Sequence, residues 1–333
     1  MQRNDVLRGP AVVDTPNVAP VNDESSRPGP TPRPSLTGLV GRGLGGVPPT
    51  ALVLLGIVSV QLGSALAKQL FSEVGSFGTV ALRLFFAAAI LMLLWRPSPR
   101  MSRRAWTVVV AYGLTLGLMN LCFYLALDRL PLGIAVTVEF LGPLTVALIG
   151  SRRWLDALWA VLAAAGVVLL MGGGGDVNLV GLLFALAAAA CWGLYIVVSA
   201  ALGRHSTEGN GLALGMIVAA LVAVPIGVVD SGAALVQPWV LVAGLGLALL
   251  SSVIPYSLDL EALRKMPPRV FGILMSLEPA MAALVGLVVL QELLHWSQWV
   301  AVLCVVVASV GATRASRPKI RPEDLAASQD LDR

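Results

Sequence analysis

Three charged side chains stand where a chain this apolar should hold none. Glu139, Glu278 and Arg83 each lie inside a long apolar run. A charge near the centre of a bilayer costs about 2.5–3.5 kcal/mol even on the lenient insertion scale. Such residues therefore face a protein interior, where they pair, titrate or bind a ligand. A structural ion pair is the plain alternative, most of all for Arg83 and Glu278. Glu139 carries a further signal. Pro143, four residues on, has no N–H, which leaves the Glu139 carbonyl without its helical donor. A carboxylate beside an unpaired carbonyl in a low-dielectric helix suits proton exchange near neutral pH.

Polar stripes accompany these charges. Gln61, Ser64 and Lys68 are spaced three and four apart, on one helical face. Gly113, Gly117, Asn120 and Tyr124 form a second stripe, whose glycines permit close helix contact. Ser252, Tyr256 and Asp259 form a third, and Trp192 and Tyr195 share a further run. Small, hydroxyl and aromatic residues at these spacings also serve plain helix packing. Lys68 and Arg83 are the candidates to receive a substrate carboxylate, and Arg does so as a fork that Lys cannot reproduce.

The elements that must position these residues are membrane helices. Of 333 residues, 57% are hydrophobic and 13% charged, against about 25% charged in soluble domains. Apolar runs of about 20 residues recur, the length that crosses a hydrocarbon core of ~30 Å. They lack the strict alternation of a barrel. The pattern predicts an all-α integral membrane protein with ten transmembrane helices, near 50–68, 76–95, 107–126, 132–150, 155–171, 180–200, 211–229, 239–260, 270–290 and 297–313. Residues 1–49, scattered with Pro, Ser, Asp and Arg, read as a disordered cytoplasmic tail. Residues 314–333 read as a second cytoplasmic tail.

The chain also repeats itself. LPLGIAVTVEFLGP (130–143) returns as MPPRVFGILMSLEP (266–279), a shift of 136 residues. Pro131 and Pro143 fall on Pro267 and Pro279, so Pro143 and Pro279 are expected to kink equivalent helices, and Asn120 falls on Tyr256. Two halves, 50–171 and 180–313, then hold five spans each. An odd number sets them in opposite orientations, the inverted repeat of alternating-access transporters. Charge fixes the direction. With the N-terminus inside, all 23 basic residues except Lys68, Arg83 and Arg129 fall in the tails and the even-numbered loops, which leaves 20 inside. Both termini are expected in the cytoplasm.

Other chemistries find little support. HExxH, GxSxG and the phosphate loop are absent. GGGGD (172–176) formally matches the GxGD of intramembrane aspartyl proteases but has no partner aspartate mid-membrane. His205 and His295 are isolated, so neither a metal site nor a cofactor is expected. Cys122, Cys191 and Cys304, an odd number in apolar runs, read as core residues rather than a disulfide framework. The net charge of +4 follows from the basic inner loops and requires no nucleic-acid partner.

Seven stretches carry a family resemblance: SALAKQLF (64–71), TVALRLFFAA (79–88), MNLCFYLAL (119–127), LPLGIAVTVEFLGPLTVALIGSRR (130–153), ACWGLYI (190–196), VIPYSLDLEAL (253–263) and RVFGILMSLEPAMAA (269–283). Together they resemble the drug/metabolite transporter superfamily, EamA type, over roughly residues 50–313. The resemblance is specific around 130–153 and 269–283 and diffuse elsewhere. It implies export of small amino acids across the inner membrane of a bacterium by proton antiport, with a small-molecule substrate, protons and the lipid bilayer as partners. Efflux of another amphipathic metabolite or drug is the nearest alternative. A non-transporting membrane scaffold or sensor is the alternative of a different class.

Overall fold

The computed structural model describes residues 46–149, 154–172, 177–203 and 210–315. The expectations for most of the N-terminal tail, for the C-terminal tail beyond 315, for most of GGGGD and for His205 lie outside the described residues. Among the described residues the chain is helical, with no strand. The helices are α1 (Pro49–Trp95), α2 (Arg103–Leu127), α3 (Leu132–Glu139), α4 (Leu141–Ile149), α5 (Trp154–Gly172), α6 (Leu179–Gly203), α7 (Asn210–Ser231), α8 (Pro238–Ala248), α9 (Ile254–Lys265), α10 (Pro268–Met275), α11 (Glu278–Val289) and α12 (Trp296–Ala315). Among the described residues, eight helical runs are long and apolar enough to cross a membrane, counting α3–α4, α8–α9 and α10–α11 as continuous, and Leu155–Leu170 is a shorter apolar helix.

The 47 residues of α1 amount to about 70 Å of helix, twice what one crossing needs. Gly75 divides it. Its φ of +63° is open to glycine and strained for other residues. The Ser231 hydroxyl donates to the Val74 carbonyl at 2.6 Å beside this bend.

Prolines mark the breaks between α3 and α4 and between α10 and α11. Pro131 and Pro267 precede the two half-helices, each of eight residues. The N–H missing from Pro143 would have bonded to Glu139, and that missing from Pro279 to Met275. Those are the last residues of α3 and α10, and Phe140 and Ser276 cap them with nearly identical backbone angles. Both pairs of positions differ by 136 residues, the repeat shift.

Packing follows the same exchange. α2 packs on α6 and α7, while its repeat equivalent, α8–α9, packs on the two stretches of α1. α5 packs against α12, its own equivalent, whereas α3 packs against α11 with no comparable packing of α10 on α4 among the described residues. Gly113 and Gly117 bring α2 close to α7, where a Cβ on Gly113 would stand 2.5 Å from the Gly215 carbonyl oxygen. A further difference lies in the helix between the packed pairs. α2 runs unbroken, whereas Leu249–Val253 between α8 and α9 makes a π turn.

A candidate transport cavity

The helix breaks surround a cavity of about 170 Å³. α3 brings Val136 and Glu139 to it, α10 brings Met275, and α11 brings Glu278 at its first turn. Both carboxylates are buried, Glu139 at 8% exposure and Glu278 at 7%. Gln61 of α1 donates to Glu278 Oε1 at 3.4 Å, while Gln61 Oε1 and Glu278 Oε2 are buried without a partner. Glu139 has no ion pair among the described residues.

Arg83 enters from the second stretch of α1. Its Nη1 donates to the Tyr124 hydroxyl and its Nη2 to the Ser251 carbonyl, both at 3.2 Å. The guanidinium also stacks over the Tyr124 ring, 5.6 Å from the centroid. Its Nε is buried and unpartnered. No ion pair joins Arg83 to a carboxylate among the described residues. The π turn gives Arg83 its second anchor. An i→i+5 segment disturbs the regular ladder, and Ser59 takes the neighbouring Leu250 carbonyl at 2.7 Å.

The remaining wall is mixed. Ser64, Asn120, Trp192, Tyr195 and Tyr256 line the cavity. Asn120 donates to the Leu116 carbonyl of its own helix. Trp192 sets its ring edge-on to Phe140 at the α3–α4 break. Tyr195 is held by the Tyr112 hydroxyl at 3.1 Å.

Three expected residues sit elsewhere. Tyr124 is fully buried behind the wall, where it anchors Arg83. Ser252 is buried beside the cavity, and Ser251 lines it instead. The stripe Ser252–Tyr256 assumes α spacing, but the π turn puts Ser251, five residues before Tyr256, on the inward face. Lys68 lies away from the cavity, bonded to Glu292 at 2.5 Å. Asp259 lines the cavity and has a buried, unpartnered Oδ1. Its place on the third stripe is the signal that could have promoted it to the site. Glu292 had no such signal, because it follows α11 in a segment with no helical period.

The arrangement has the features of a small-solute site built into a helical membrane protein: a cavity at interrupted helices, lined by charges of both signs. Comparison with known proteins agrees. Residues 179–314 match the EamA-like transporter family. The threonine/homoserine exporter RhtA of Salmonella typhimurium is 42% identical over 283 residues, which is 83% of this chain and 96% of that protein. RhtA of Escherichia coli K12 is 41% identical over 281 residues, 83% of this chain and 95% of that one. A solved crystal structure shares the fold, with a TM-score of 0.57 at 22% identity, covering 80% of this chain and 99% of the other. This chain belongs to the EamA-like transporter family.

Proposed function

We propose that this protein is a secondary active exporter of threonine, homoserine or similar small amino acids across the bacterial inner membrane. The observation that carries the reading is the charge layout of the cavity. Arg83, Glu139, Glu278 and Asp259 line it, and no ion pair joins the cation to the acids among the described residues. A zwitterionic amino acid offers one group of each sign to such a site. Arg83, with donors left over after Tyr124 and Ser251, receives the carboxylate. Glu278 and Asp259, each with an unpartnered buried oxygen, receive the ammonium. Kinship to proteins named threonine/homoserine exporters supports the substrate class.

The mechanism is alternating access between two inverted five-helix repeats, ten spans in all. The matched half-helices and the packing of α2 and of α8–α9, which survives exchange of the halves, support it. Glu139 couples export to protons, because its ionised form adds to the hold of Glu278 and Asp259 on the ammonium and its protonation weakens that hold. Both termini lie in the cytoplasm, as the basic loops require.

Cells overloaded with individual amino acids test the reading. Those carrying the gene should export threonine and homoserine faster than those without it. Equal efflux of every amino acid tried would reject it. Reporters fused after Gly175 and after Arg321 should read outside and inside, and the reverse would overturn the repeat orientation.

A further inference from the structure

Outside the cavity, one polar cluster ties three separate segments together. Lys68 of α1 donates to Glu292 Oε1 at 2.5 Å and to the Leu130 carbonyl at 2.7 Å. Glu292 Oε2 accepts the Leu132 N–H at 2.7 Å, at the first residue of α3. Glu292 is itself pinned, since its N–H donates to the Gly286 carbonyl at 3.0 Å after Gln291 turns the chain with φ +57°. Gly286 leaves the carboxylate its space: a Cβ there would stand 3.0 Å from Glu292 Oε2. Neither Lys68 nor Glu292 lines the cavity.

We propose that Lys68 and Glu292 form the outer gate of the transporter, a latch that parts each time the cavity opens to the outside. The inference rests on the export reading and its orientation, which put the ends of α1's first stretch, α3 and α11 on the outer face. Three observations carry it. The latch joins α1 and α3 of the first half to the end of α11 in the second, so relative motion of the halves must break it. The segment it grips is sealed: all eight residues of α3 are buried, and a Cβ on Gly133 would stand 2.7 Å from the Ala283 backbone of α11. The repeat-equivalent segment is not sealed, since α10 has no buried residue. Its first residue is Pro268, which has no N–H for a carboxylate to hold, and Arg269 stands where α3 has Gly133. The structure is thus latched at one end and loose at the other. The pair is suited to parting, because its side chains are 22% and 16% exposed and can rehydrate, whereas a fully buried pair would leave bare charges behind.

Cross-linking separates a gate from a permanent brace. A parent chain with Cys122→Ser, Cys191→Ser and Cys304→Ser is first measured for threonine export. Absence of export from the natural chain as well, with stable protein, counts against the transport reading and not the gate. Lys68→Cys and Glu292→Cys are then combined in this parent and bridged with a bis-thiosulfonate reagent. A gate predicts that bridging cuts export at least about tenfold, as holding a lid shut does, and that a reductant restores it. Undiminished export across the bridge would overturn the proposal. A second readout needs no transport. Met119→Cys places a thiol on the cavity wall, to be labelled from outside by a membrane-impermeant reagent. Adding Glu292→Gln should speed labelling severalfold, and an unchanged rate would reduce the pair to a brace.

Discussion

α3 and α10 occupy the same place in the two halves and have the same length and the same backbone break. Their surroundings are opposite. α3 is buried throughout and held at its first N–H by Glu292. α10 is at most half-buried, begins with a proline, and carries Arg269, which donates to the Arg314 carbonyl at the end of α12. The chemistry of the cavity is just as unequal. Under the shift of 136, Arg83 falls on Ala219, Glu139 on Met275 and Asp259 on Phe123. On the proposed repeat the two half-helices share a frame, and the charges and small residues that fill it differ between the halves. In the proposed gate, closure is therefore decided by residue identity, by the Glu292 carboxylate and the missing Cβ of Gly133, and not by the shared backbone break.

The sharpest way to break the contrast is to give α3 the residue of α10. Gly133→Arg should force α3 away from Ala283 and cost at least the ~1–3 kcal/mol typical of overpacking. Export should vanish, and Met119→Cys should become reactive from outside. Normal export with unchanged labelling would show that close packing of α3 on α11 is dispensable.

Next in size is Glu139→Gln, which keeps shape and hydrogen bonding but cannot ionise. Proton-driven export should fall about 100-fold, the scale of a lost proton-transfer group, with the amount of membrane-inserted protein unchanged. Glu139→Asp should keep part of the rate with a shifted pH optimum. A normal rate and pH profile for Glu139→Gln would move the coupling role to Glu278, across the repeat.

Arg83→Lys should cost about tenfold in threonine export. A single ammonium cannot reproduce the fork to Tyr124 and Ser251, and one charge-assisted hydrogen bond contributes ~1.5–3 kcal/mol. Unchanged export in Arg83→Ala would remove the cation from the site. The smallest effect belongs to Ser276→Ala, at the break of the looser half. It removes the 2.7 Å contact with the Ser309 hydroxyl, a loss of about 1 kcal/mol that should lower the unfolding temperature slightly and leave export intact.

The sequence makes the frame legible because prolines and apolar length act locally. Pro131, Pro143, Pro267 and Pro279 locate both half-helices, and isolated charges in apolar runs lead to Arg83, Glu139 and Glu278. What it hides depends on distance or on helix type. The spans expected at 50–68 and 76–95 are the two stretches of α1, but the first runs on through 69–74 and the break falls at Gly75, which no spacing of apolar residues marks. Ser251 displaces Ser252 because a π turn leaves no mark in apolar spacing. Lys68 looks like a free cation until Glu292, 224 residues away, is brought to it.

The equal length of the two half-helices has an electrical consequence. Eight residues of helix span about 12 Å. In the proposed inverted repeat, which sets Pro131 and Pro267 at opposite edges of a ~30 Å core, Glu139 and Met275 would stand at equal depths from opposite faces. A charge that reaches either break from its own side crosses about two-fifths of the membrane field. At ~2.3 kcal/mol per elementary charge per 100 mV for a full crossing, that is roughly 1 kcal/mol for each such step. The membrane potential would then weigh equally, and with the same sign, on loading and on release of any net charge, so that the two steps share the voltage dependence of one crossing.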